Sequence, residues 1–174
     1  GGSASSGQVS RGGGGSCAFG GMGGGGRGVY APTHVRSPLS PQQVTAEIKR
    51  AQSVVEVLRV HKRFRSAFNY IHLSATWNVL GRLAARAPAW LQQHAASAGA
   101  LREDTHRLLC ELDAQGLSNV AHGMAKARVT SRDVWAASWA QMACAAVARV
   151  HEFKPQGLAN TAWAYATAGH AAAR

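Results

Sequence analysis

Residues 153–170 read FKPQGLANTAWAYATAGH, and this stretch decides the fold. Pro155 suits the first position of a helix, where a missing N–H costs nothing and φ is already set. Gly169 suits the stop, because glycine takes the left-handed conformation without penalty. Between them Leu158, Ala159, Ala162, Trp163, Ala166 and Thr167 recur at steps of three and four, predicting one apolar stripe on a helix. Half of the stripe is alanine, so a neighbouring helix can approach closely.

The pattern recurs upstream. Gln115, Gly116, Leu117, Asn119, Ala121 and Ala125 match Gln156, Gly157, Leu158, Asn160, Ala162 and Ala166, each at an offset of 41 residues. A looser copy, HLSATWNVLGRLA at 72–84, sets Trp77 where His122 and Trp163 fall, at steps of 45 and 41. A period of about 40 residues points to stacked helical hairpins rather than a single globular core.

The run Pro155-Gln156-Gly157-Leu158-Ala159-Asn160-Thr161-Ala162-Trp163-Ala164-Tyr165-Ala166 resembles the first helix of the octotricopeptide repeat (OPR) family and its relatives, the FAST-type leucine-rich helical repeat proteins of organelles. The copy at 115–126 keeps the Q-G-L-x-N core with His122 in the tryptophan place. The copy at 72–84 keeps Trp77 and lacks the asparagine. Residues 66–86 also look like the opening repeat of algal and dinoflagellate members, and the resemblance runs from about Leu39 to the end. It implies an α-solenoid of two-helix repeats that handles RNA in a mitochondrion or chloroplast, in processing, stability or editing. It implies organellar RNA, single-stranded or structured, as partner, with other RNA-processing proteins possible beside it.

Composition agrees with a polyanionic partner. The chain has 174 residues, 19 Lys and Arg against 8 Asp and Glu, and a net charge of +11. Such an excess favours RNA, DNA or anionic lipid; the plain alternative is a solvated basic surface. Cys17, Cys110 and Cys144 are far apart, without a C-x-x-C pair, which suggests reduced thiols. No apolar run approaches membrane-spanning length, so no stable insertion is expected.

In chain order, residues 1–38 form a low-complexity Gly/Ser-rich tail, expected to be disordered. Its G-x-G-x-x-G matches are trivial in a glycine run, with no strand before and no helix after, so nucleotide binding is not expected. No acidic residue precedes Glu47, as in an organelle transit peptide, but the leader is not visibly amphipathic. The second domain, 39–174, is expected to be helical-repeat throughout and truncated within a repeat at its C-terminus.

Ser40-Pro41-Gln42-Gln43 predicts a capping box opening a helix, continued through Val44, Ile48, Ala51, Val55 and Leu58 to about Arg65. Its end carries Arg59, His61, Lys62, Arg63 and Arg65, the densest basic cluster. It reads equally as cations on a helix C-terminus or as a phosphate-contacting patch. A second helix is expected through Phe68, Ile71, Ala75, Val79 and Arg82. Pro88 limits it, Gly99 ends a short piece begun at Trp90, and Leu101–Leu112 follows with Leu101, Thr105, Leu108, Leu109 and Leu112 inward. Gly116 is expected to break the chain before the next helix. Thr130-x-x-Asp133 should start another, lined by Val134, Ala137, Ala140, Cys144 and Val147. No strand is expected.

The eight histidines show no metal-ligand spacing, and neither metal nor cofactor is expected. Glu103/Asp104 and Glu111/Asp113 read as solvated helix faces. No Ser-His-Asp or Cys-His set is suggested, so no enzyme activity and no small-molecule substrate is expected. Trp77, Trp163 and Tyr165 read as core between hairpins ahead of base-stacking platforms. Asn119 and Asn160 either bond locally or read bases. Phosphate contact is expected from Lys62, Arg63, Arg65, Arg82, Arg86, Lys126, Arg128 and Lys154. The rival function is a protein-interaction scaffold of tetratricopeptide-like hairpins, and a third is attachment of the basic helix at 48–65 to an anionic membrane.

Overall fold

Side-chain caps at Ser40, Ser53, Asn69 and Asp113 open four of the helices. The computed structural model describes residues 39–130 and 132–169, without the side chain of Asp133. The expected tail, 1–38, lies outside them. The described residues form α1 (Pro41–Arg50), α2 (Val54–Phe64), α3 (Tyr70–Leu83), α4 (Trp90–Gln93), α5 (Ala95–Leu108), α6 (Ala114–Lys126), α7 (Ala136–Ala148) and α8 (Pro155–Ala168). Five 3-10 turns join them, and no strand occurs among the described residues.

The capping box of α1 forms as expected: Gln43 N–H donates to Ser40 Oγ at 3.3 Å and Ser40 N–H to Gln43 Oε1 at 2.7 Å. The single helix expected to Arg65 is instead two. Ser53 caps α2 by accepting from Glu56 N–H at 3.2 Å, while the Glu56 carboxylate accepts from Gln52 N–H at 2.8 Å. Val55 consequently leaves the apolar stripe and is exposed.

Three junctions share one design. A 3-10 turn (Arg65–Ala67, Leu109–Glu111, Val150–Glu152) leads to one extended apolar residue, Phe68, Leu112 or Phe153. The next residue, Asn69, Asp113 or Lys154, is the N-cap of α3, α6 or α8. The N-cap steps are 113 − 69 = 44 and 154 − 113 = 41. This corrects the register of the first copy. His122 and Trp163 stand nine residues past their caps and Trp77 stands eight past its own, so Asn78 is their counterpart.

Packing follows the same order. α3 lies against both α1 and α6, and α6 against both α3 and α8, making a first row. α5 touches α2 and α7, making a second row that packs on the first. Fully buried indoles tie the rows. Trp77 Nε1–H donates to Thr105 Oγ1 at 3.1 Å, and Trp90 Nε1–H to the Ala127 carbonyl at 3.0 Å. Tyr165 Oη–H donates to the Trp139 carbonyl at 3.1 Å.

The close approach that alanine-rich helices promise is made by glycine. A Cβ on Gly123 would lie 2.3 Å from the Trp77 carbonyl oxygen, and one on Gly81 would lie 2.9 Å from the Gly123 carbonyl oxygen. At the next contact Ser118 Oγ–H donates to the Gly157 carbonyl at 3.1 Å. The N-terminal parts of α6 and α8 therefore meet, as do their middles, and the two helices run in the same direction.

Several expected details change. Gly99 lies inside α5 and Gly116 inside α6, where Asp113 supplies the cap. Phe68 precedes α3 rather than belonging to it, and Ile71 is exposed while His72, Leu73, Thr76, Trp77 and Leu80 are buried. α7 begins at Ala136 and buries Ser138, Trp139 and Met142. Val134, Ala137, Ala140, Cys144 and Val147, expected inward, are exposed. On α8 the buried residues are Gly157, Ala164 and Ala168, so the stripe from Leu158 to Thr167 faces outward.

Replacing Gly123 by alanine sets a methyl against backbone that cannot swing away, and should cost about 1–3 kcal/mol of stability. Gly99 has open space where its Cβ would go, so Gly99→Ala should instead stabilise by about 1 kcal/mol through helix propensity. Urea unfolding of the two variants measures both; equal effects would contradict the α3–α6 contact.

Candidate nucleic-acid interface

Residues at i, i+4, i+7 and i+11 share one side of a helix. Counted from their caps, positions 2, 6, 9 and 13 are Ile71, Ala75, Asn78 and Arg82 on α3. On α6 they are Gln115, Asn119, His122 and Lys126, and on α8 Gln156, Asn160, Trp163 and Thr167. All twelve are exposed or half-buried. Because the three helices lie side by side, the equivalent positions form rows running across them.

The middle row is Asn78, His122 and Trp163. The His122 and Trp163 rings meet with centroids 5.1 Å apart at 57°. Trp163 keeps 46 % of its surface exposed, so the expectation that it is core is corrected, whereas Trp77 is fully buried as expected. Burial lowers the His122 pKa, and the positive charge of Lys126 lowers it further. His122 is therefore neutral at pH 7, with one ring nitrogen a donor and the other an acceptor. Beside this row, Gln115 Nε2–H donates to Asn119 Oδ1 at 3.2 Å. Asn160 stands in the same place on α8, and Arg82 and Lys126 form an outer cationic row.

Of the expected contact residues, Arg82, Lys126, Asn119 and Asn160 are thus brought to one face. Arg86 and Arg128 are exposed just past the ends of α3 and α6, near that outer row in the chain. Lys154 is exposed at the N-cap of α8, the opposite end. Lys62 and Arg63 belong to α2 in the second row; Arg63 lies 3.9 Å from Glu47 and over the Phe64 ring at 4.8 Å. The face also gathers residues that the sequence reading passed over, His122, Gln115 and Gln156. Their signal was present: they lie in the helical frame of Asn119 and Asn160.

Arg65 is committed elsewhere. Its Nε–H donates to Asp104 at 2.9 Å and its Nη2–H to Glu103 at 2.7 Å. Asp104, expected to be solvated, is buried at 4 % exposure and also accepts from Arg107 and from His61 Nε2–H at 2.8 Å. Burial alone would raise the Asp104 pKa, but hydrogen bonds from Arg107, Arg65 and His61 override it and hold the carboxyl below its usual range. Burial lowers the His61 pKa despite the bond to Asp104, whose charge the two arginines already balance. This cluster clamps α2 to α5.

Among the described residues no group of three His, Cys, Asp or Glu could hold a metal ion. None of the described helices is long and apolar enough to cross a membrane. No family model matches the chain, and no curated protein and no solved structure matches it significantly.

The clamp generates a pH dependence. A histidine whose folded pKa is depressed contributes stability that is present above its unfolded pKa, about 6.5, and lost as pH falls. Urea stability should therefore drop as pH falls from 7 towards 5, and His61→Gln should flatten part of that slope. A further drop below about pH 4 should follow protonation of Asp104. A His61→Gln protein with an unchanged slope between pH 7 and 5 would contradict the assignment.

Proposed function

We propose that the helical region is an α-solenoid of two-helix repeats that binds single-stranded RNA without catalysis. The observation that carries this reading is the three-helix face. Equivalent positions of α3, α6 and α8 supply an amide, a neutral imidazole and an indole in one row, with Arg82 and Lys126 in the next. Such a face suits a single strand, whose unstacked bases can lie on aromatic rings and hydrogen-bond to amide side chains. Arginine and lysine alongside neutralise the phosphates. The repeating junctions and the two rows of helices support the solenoid. The net charge of +11 supports a polyanionic partner.

The resemblance to organellar OPR and FAST-type repeat proteins adds the setting: RNA maturation, stability or editing in a mitochondrion or chloroplast. A tetratricopeptide-like protein scaffold is the second reading, favoured by the exposed apolar residues Ile71, Leu158 and Trp163. It predicts no dependence of RNA affinity on the charged row.

Fluorescence-anisotropy titration of an unstructured oligoribonucleotide against the chain tests the choice. Arg82→Gln with Lys126→Gln should lower the slope of log affinity against log salt by about 1.4, since each phosphate contact on a single strand contributes about 0.7. Trp163→Ala should weaken binding by about 1–3 kcal/mol with the salt slope unchanged. Wild-type affinity and slope in both variants would sink the RNA reading.

A further inference from the structure

α1 stands to α3 as α3 stands to α6. Asn69 N–H donates to His72 Nδ1 at 3.2 Å, which leaves His72 Nε2–H to donate to the Pro41 carbonyl at 3.0 Å. The N-terminal turns of α1 and α3 therefore meet, and α1, packed on α3, runs in its direction. The helices also share a frame. Counted from the Ser40 cap, positions 4, 8 and 11 are Val44, Ile48 and Ala51, all buried. The same positions bury Leu73, Trp77 and Leu80 on α3, and Leu117, Ala121 and Met124 on α6.

With that frame fixed, positions 2, 6 and 9 of α1 are Gln42, Ala46 and Lys49. Gln42 and Lys49 are exposed and Ala46 is half-buried, like their equivalents on α3, α6 and α8. Gln42 stands in the row of Ile71, Gln115 and Gln156, and Lys49 in the row of Asn78, His122 and Trp163. Glu47, the one acid of α1, lies 3.9 Å from Arg63 on α2. Lys49 forms no ion pair among the described residues.

We propose, resting on the RNA reading, that α1 is a fourth helix of the strand-binding face and that Lys49 contacts a phosphate in its middle row. That row is then graded from a cation through an amide and an imidazole to an indole. It suits an extended strand that sets a phosphate on α1 and an unstacked base on Trp163. Three helix-to-helix steps of up to about 8–10 Å put Lys49 roughly 20–30 Å from Trp163. Ten nucleotides cover that span even when stacked at about 3.4 Å each. A cation in the last turn of a helix also complements the helix dipole. That role moves stability and leaves the salt dependence of RNA binding alone, so the two roles are separable.

Fluorescence anisotropy of labelled decauridylate against the full chain, repeated over a salt series, tests the assignment. Lys49→Gln should lower the slope of log affinity against log salt by about 0.7, one phosphate contact on a single strand. Lys62→Gln removes the same charge from an exposed position on α2 and should keep the wild-type slope. Acetylation of the lysines, read by mass spectrometry, supplies the position. Saturating decauridylate should suppress labelling of Lys49 and Lys126 and leave Lys62 labelled as in the free chain. A wild-type slope in Lys49→Gln, while Arg82→Gln with Lys126→Gln still lowers it, overturns the fourth helix and leaves the three-helix RNA reading standing. Equal slope losses in Lys49→Gln and Lys62→Gln overturn it too, because net charge and not position would then govern. So does Lys49 labelled in the complex at its free rate. A wild-type chain without salt-dependent binding overturns the RNA reading and the fourth helix together.

Discussion

The backbone contact between α3 and α6 is the constraint on which the other features depend. Helices that carry side chains at their crossing pack 8–10 Å apart. Here Gly81 and Gly123 remove those side chains where the helices cross, and backbone meets backbone. That approach sets α6 in register with α3, and Ser118 on the Gly157 carbonyl sets α8 in register with α6. Register is what turns equivalent positions into rows. With a slip of one residue, Asn78, His122 and Trp163 would no longer share a side, and no continuous polar face would exist.

The second row fixes the first without intruding on that face. Trp77, Trp139 and Trp90 are fully buried between the rows. Two of them spend their indole N–H on Thr105 and on the Ala127 carbonyl, so burial leaves those groups satisfied. The charges are likewise divided. Arg65 and Arg107 are drawn into the Asp104 clamp, Arg149 donates to the Leu112 carbonyl at 2.7 Å, and Arg102 donates to the Val134 carbonyl at 2.9 Å. Cations in such bonds are less available to a ligand than Arg82 or Lys126. The high net charge alone therefore overstates the cationic surface left exposed, and position on the fold decides which arginines are held in internal bonds.

The helical class, the capping box at Ser40, Pro155 at a first turn and Gly169 in the left-handed region were all legible, because each depends on local backbone chemistry. The break at residues 51–53 has a local signal too: Ser53-x-x-Glu56 is itself a capping sequence, overridden in the pattern by a continuous apolar stripe. Burial was less legible. In alanine-rich helices the small residues satisfy several stripes equally, and so periodicity alone puts Ala140, Cys144 and Val147 on the inner side of α7, where the fold leaves them exposed. The one-residue error at Trp77 has the same origin, since matching tryptophan to tryptophan hides a register that only the caps define. Nothing in the sequence pairs Asp104 with residues 39 and 43 positions away. Only the fold brings α2 onto α5.

The central claim is that one face of α3, α6 and α8 holds a single strand of RNA. Photocrosslinking of the chain to a 4-thiouridine-containing oligoribonucleotide, with the adducts located by mass spectrometry of tryptic peptides, tests it most directly. Adducts concentrated on the peptides carrying Trp163 and His122 are the predicted result. Adducts confined to α1 and α2, or none above a bovine albumin control, would contradict it.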